Sequence, residues 1–238
     1  MEQIPNIQEL SIVLTVPNHN PTLLTPDFLA GSGIIPTDWE LSRPPVLSAR
    51  ASQVAFKSGT NIVAQPGTIT FSETLNHKDS DEVQVAAIAQ KYAKTLPNLD
   101  YQAIGINPKR FITFENEPDG ARNYITKTLF APGSWQDVGT EPLQASINLV
   151  YTLEHRQLRL TIGEAKLKLP DKDSVSAILF AGNFHYTVTG ETVEERIKHL
   201  QEQLDNWQSD LEAFREIIDT KFLSQPKSET ILSIRDAV

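Results

Sequence analysis

The stretch TVEERIKHLQEQLDNWQSDLEAFREIIDTKFL, residues 192–223, is the longest regular pattern in the chain, and its reading governs the rest. Val193, Ile197, Leu200, Leu204, Trp207, Leu211, Phe214 and Ile218 follow one another at alternating spacings of four and three, which aligns them on one stripe of an α-helix. Thr192 and Glu195 have the spacing of a capping box, and Glu191, Glu194 and Glu195 suit the positive end of such a helix. A continuous helix over these 32 residues would extend about 48 Å, more than the ~17–20 Å of a typical strand. Part of the stripe then needs a partner beyond a single short sheet. Either the N-terminal half supplies it or a second copy of the helix does, since a sustained period near 3.5 suits helix pairing.

Immediately before this stretch, Ile178, Phe180, Phe184, Tyr186 and Val188 share one parity and read as a strand feeding straight into the helix. Upstream, Ile147, Leu149, Tyr151 and Leu153 alternate, Glu154-His155-Arg156 turns the chain, and Leu158, Leu160 and Ile162 return. The apolar parity then passes to Ala165, Leu167 and Leu169, which a β-bulge at Gly163 would explain. Residues 131–142, with two prolines, two glycines and Trp135, form the natural boundary between an N-terminal α+β half (1–130) and a C-terminal half of β-hairpin plus long helix (131–238), unless the two make one continuous domain.

The N-terminal half begins with a clean alternation, Leu10, Ile12, Leu14 and Val16 against Glu9, Ser11, Val13 and Thr15, the period of a half-buried strand that stops at Pro17. Residues 17–45 read as a long wrapping connection with one helical turn at 26–30, anchored by Leu23, Leu24, Phe28, Leu29, Ile34, Ile35 and Trp39. Residues 46–73 form a meander with turns at Ser58-Gly59-Thr60-Asn61 and Gln65-Pro66-Gly67-Thr68. Asp79 and Glu82 cap a helix whose buried face is Val85, Ile88, Ala89, Tyr92 and Leu96. A hairpin is expected from 101 to 115, turning at Asn107-Pro108-Lys109, and a short helix after Asp119 carries Tyr124, Ile125, Leu129 and Phe130. The expected class is α+β: an antiparallel sheet or pair of sheets with helices on one face. Both halves read as hairpin strands followed by a helix, the pattern that a duplicated β-β-β-α unit would give.

Composition bounds the function classes. The chain has 238 residues, a formal net charge of −9 and no cysteine, so disulfides, thiolate nucleophiles and cysteine-ligated metals are excluded. Divided at residue 130, basic and acidic residues number 10 and 13 before and 11 and 17 after, and neither half attracts a polyanion; nucleic acid is not an expected partner. The opening residues lack the pattern of a secretory signal and no run of 18 apolar residues occurs, so a cytoplasmic protein without membrane insertion is expected.

No phosphate loop, nucleophile elbow, H-E-x-x-H or dinucleotide fingerprint occurs, and no cofactor is implied. His19, His77, His155, His185 and His199 show no metal-ligand spacing and read as surface or capping residues. Glu115, Glu117 and Asp119 could offer oxygen ligands to a divalent cation, although Asp119 is equally a helix cap. Phe180, Phe184, Tyr186 and Trp207 could line an apolar pocket between strand and helix, or simply fill the core.

In layout the chain resembles a sporadically distributed, uncharacterised family of bacterial hypothetical proteins. The likeness rests on the alternating strand at 7–16, the segment Tyr101-Gln102-Ala103-Ile104-Gly105-Ile106-Asn107, and a C-terminal helix ending in Trp207, Phe214, Ile218 and Phe222. It implies an architecture and no activity. The reading that follows is an interaction or assembly protein, self-associating or binding a protein partner through Val193–Ile218. The alternatives are an apolar-ligand binder with a pocket between sheet and helix, and an enzyme without a short motif.

Overall fold

A computed structural model describes residues 7–76, 78–114, 116–154, 156–168 and 174–224. Eight strands form a single antiparallel sheet: β1 (Ile7–Val16), β2 (Ser52–Ala55), β3 (Thr60–Gln65), β4 (Gly67–Thr74), β5 (Ala103–Phe114), β6 (Ser146–Thr152), β7 (Gln157–Leu167) and β8 (Val175–Thr187). Their spatial order is β2-β3-β4-β1-β5-β8-β7-β6. Each half lays its first strand at the centre of the sheet and its next three from the rim inward. A helix follows, and the halves meet where β1 pairs with β5. The topological unit therefore holds four strands, one more than the expected three. The sheet also runs without interruption across residue 130, because β5 joins β1 to β8.

Register assigns every strand residue to a face. Ile12 and Leu14 of β1 lie level with Phe71 and Ile69 of β4 and with Ile106 and Ile104 of β5, and through Ile106 with Phe184 of β8 and Leu158 of β7. All are buried. The helices α2 (Val85–Thr95), α4 (Val193–Leu204) and α5 (Trp207–Ile217) cover this face, α2 against β1 and β4, and α4 and α5 against β5. The short α1 (Pro26–Gly31) brings Phe28 edge-on to Tyr92 of α2, which also meets Phe71 of β4, and α3 (Gly120–Asn123) packs on β7 and β8. The antiparallel sheet with helices on one face is thus the observed class. The opposite face carries hydroxyl and amide side chains bonded across strands: Gln53 to Asn61 at 2.7 Å, Asn183 to Asn107 at 2.6 Å, and Thr161 to Asn148 at 2.8 Å.

Four expectations are corrected. The hairpin at 101–115 does not form. Residues 103–114 are one strand, with Pro108 level with Leu10 of β1 and fitted over Gly182 of β8. An Asn-Pro pair is a turn signal only where the chain is free to turn, and two long neighbouring strands hold it extended here. Nor is there a bulge at Gly163, since β7 keeps one register with β8 from Leu158 to Leu167. The apolar parity changes because Glu164 and Lys166 stand on the helix-covered face beyond the reach of the core. The C-terminal stripe, thirdly, is not one straight helix. At Asn206 the backbone bonds to Gln203, three residues back, which bends the axis between α4 and α5. Asp205 at the bend accepts a hydrogen bond from Gln90 of α2 at 2.7 Å. Finally, the end of the stripe does have intrachain partners. Phe222 meets Phe180 with the rings tilted at 58°, Asp219 pairs with Arg110 of β5 at 2.6 Å, and Tyr124 donates to the Phe222 carbonyl.

Candidate functional site

The residues singled out from the helical stripe divide by burial. Leu200, Leu204, Leu211, Phe214 and Ile218 lie in the core, Ile197 and Trp207 are half-buried against it, and Val193 is exposed. Val193 and Ile197 border a surface cleft of about 550 Å³ with Lys94, Pro97 and Asn98 at the end of α2. Phe180 and Phe184 are fully buried, the latter beneath the Arg156 guanidinium at 5.7 Å. They line neither this cleft nor a second one. That second cleft, about 650 Å³, lies among Asp119, Arg122, Ser146, Glu164, Lys166 and Ser176. Within it Arg122 bridges Asp119 at 2.8 Å and Glu164 at 3.3 Å, while its buried Nε has no hydrogen-bond partner.

Tyr186 and Trp207 flank a polar cluster that the linear pattern did not reveal. Asp210, in the first turn of α5, is fully buried and accepts a hydrogen bond from Tyr186 Oη at 2.8 Å. Arg156, from the β6–β7 turn, reaches over α5 to donate to Ser209 Oγ and the Ser209 carbonyl. Its Nε lies 3.1 Å from Asp210 Oδ1, yet neither atom completes a hydrogen bond. Burial raises the Asp210 carboxyl to about 6, against the opposing pull of Tyr186 and Arg156. The same burial and the neighbouring carboxylate raise the Tyr186 phenol. Asp210 sits at a stripe gap that a periodicity reading assigns to solvent; its spacing of three from Trp207 and four from Phe214 was the available signal.

Of the candidate cation ligands, Glu115 lies outside the described residues, Glu117 is exposed, and Asp119 is engaged with Arg122. Among the described residues no group of three or more potential ligands converges. His77 and His155 also lie outside the described residues. His19, expected at the surface, is instead buried against Tyr92 at 2.6 Å, and burial lowers its pKa. His199 accepts from the Thr189 amide ahead of α4 at 2.9 Å.

The two rims of the sheet differ in kind. The outer side of β2 is occupied: Val46 and Gln53 exchange backbone bonds at 3.0 and 2.7 Å, Ser42 donates to Ala55, and Leu41 bridges Phe56. No described segment pairs with the outer side of β6. Leu153 and Arg156 exchange backbone bonds across the β6–β7 turn, and bonded pairs recur every second residue. Ile147, Leu149 and Tyr151 therefore bond inward to β7, while Asn148, Val150 and Thr152 direct their amides and carbonyls outward. The strand has no charge and no proline, the devices that usually blunt an edge. Ile147, Leu149 and Tyr151 form a half-buried apolar row on the helix-covered face, and Val150 is 61% exposed on the other.

The class that fold and surface define is an open antiparallel α+β sheet with one sealed edge and, among the described residues, one edge without a pairing segment. Comparison of the chain with protein-family models and with curated protein sequences gives no match. No helix among the described residues is long and apolar enough to cross a membrane.

Proposed function

We propose that this chain is an interaction or assembly protein whose contact element is the bare edge of β6, engaged by strand addition. The observation that carries the reading is the asymmetry of the rims, one sealed by residues 40–46 and the other left uncharged, seven residues long and apolar on alternate positions. An unprotected edge offers a row of unpaired backbone donors and acceptors, and a strand laid beside it satisfies them while covering alternate side chains. The helical stripe is the weaker candidate, because its members from Leu200 onward are mostly spent on the core.

A photo-crosslinking amino acid placed at Val150, and in a separate variant at Gln53, tests the reading in cells. Protein adducts are expected from position 150, not from position 53, and are expected to vanish when Asn148→Pro is added. That substitution removes one outward amide and leaves the backbone bonds to β7 in place, while the side-chain bond from Thr161 is lost. Absence of any adduct at position 150 would remove the basis for the reading.

A further inference from the structure

We infer that the strand added to β6 is β6 of a second copy, paired antiparallel about a two-fold axis at Leu149 to give one continuous sheet. This rests on β6 being the contact element and adds the identity of the partner and the register.

The outward groups fix which alignments can form. Asn148, Val150 and Thr152 point away from β7, so a bonded pair across a new seam must join outward residues of both copies. Centring on Leu149 places Asn148 beside the partner's Val150 and Ser146 beside the partner's Thr152 as bonded pairs. Leu149 then meets the partner's Leu149 as a non-bonded pair, the type in which side chains approach most closely. This alignment uses all seven residues of β6, and moving the axis by one residue leaves some of them unpaired.

The side chains agree with that axis. On the helix-covered face Ile147 lies beside the partner's Tyr151, an aromatic and β-branched pair of the kind that stabilises a sheet. On the other face Asn148 lies beside Val150. No like charges meet, because β6 carries none. The row Ile147, Leu149 and Tyr151 is half-buried where the helix layer ends, and an identical row continues it across the seam. Self-pairing is also the event that edge protection normally prevents, and among the described residues a covering segment lies along the β2 rim and none along β6.

The test uses the full chain. Sedimentation across micromolar to millimolar concentration is expected to show a reversible dimer. Val150→Pro should weaken it by at least about tenfold, since the seam loses backbone bonds, while Val150→Thr should not. Since the chain has no cysteine, Leu149→Cys provides a second measurement: mild oxidation is expected to give a disulfide-linked dimer, whereas Asn148→Cys and Val150→Cys are expected not to. Far-ultraviolet circular dichroism establishes that each variant is folded. A wild type that stays monomeric, or a dimer indifferent to Val150→Pro, overturns the second-copy inference. Covalent dimers from position 148 or 150 overturn the register. Photo-adducts at position 150 containing only foreign protein overturn this inference and leave the edge reading standing; no adducts at all overturn both.

Discussion

Two buried acids differ in how fully their oxygens are hydrogen-bonded. Glu73, at the end of β4, is almost fully buried and fully used: its carboxylate accepts from the amides of Gln84 and Val85 at 2.8 Å each and from Lys78 at 2.7 Å. It closes the N-terminus of α2, a role the sequence seemed to give Asp79, whose own amide instead bonds Glu82 in a short turn before the helix. Replacing Glu73 by Ala should destabilise the protein by about 3 kcal/mol, with Glu73→Gln intermediate, as read by urea unfolding. Asp210 is less completely partnered, and burial raises its carboxyl from 3.8 to about 6. The folded form binds its proton more readily than the unfolded chain does. Its stabilisation is therefore complete below about pH 4 and is lost as pH rises through about 6. At about 1.4 kcal/mol per unit the loss amounts to at most about 3 kcal/mol. Urea midpoints measured from pH 4 to 7 should fall accordingly in the wild type, and Asp210→Asn should remove that part of the slope.

Between elements, close packing decides the tolerances. Gly182 lies where β8, β5 and α5 converge, and a Cβ there would stand 2.8 Å from the Phe214 ring and 3.1 Å from Pro108. Gly182→Ala should lower stability by about 1–3 kcal/mol in thermal melts, because neither a core ring nor a proline in mid-sheet can yield far. The bend at Asn206 lets α4 and α5 follow a twisting sheet that a straight rod would leave. Leu204, just before it, is completely buried. Leu204→Glu should then lose the cooperative melt by circular dichroism instead of yielding a folded monomer, since an unpaired carboxylate would enter the core.

For the whole molecule, the proposed dimerisation through β6 would link stability to concentration. A partner that binds only the folded form raises its apparent stability by mass action. The melting temperature of the wild type should climb with protein concentration, and that of Val150→Pro should stay constant. Among the described residues each copy offers one unpaired rim, so the proposed pairing of two copies would close the assembly.

Alternation and helical spacing alone determined the class of this fold, the strand at 7–16, a strand read at 178–188 where Val175–Thr187 is observed, the buried face of α2 and the stripe from Val193 to Ile218. Those patterns record which side of an element avoids water, and that is a local property. What the stripe packs against was a tertiary matter, because eight strands side by side make a surface far wider than the single strand against which its length was measured. The same holds for Pro108, kept extended by its neighbours, and for Glu164 and Lys166, whose face is set by register with β8. Most of all it holds for β6. Its seven residues read as an ordinary hairpin strand, and only the order of the sheet leaves that strand at the rim, with Asn148, Val150 and Thr152 facing outward and no described segment beside them.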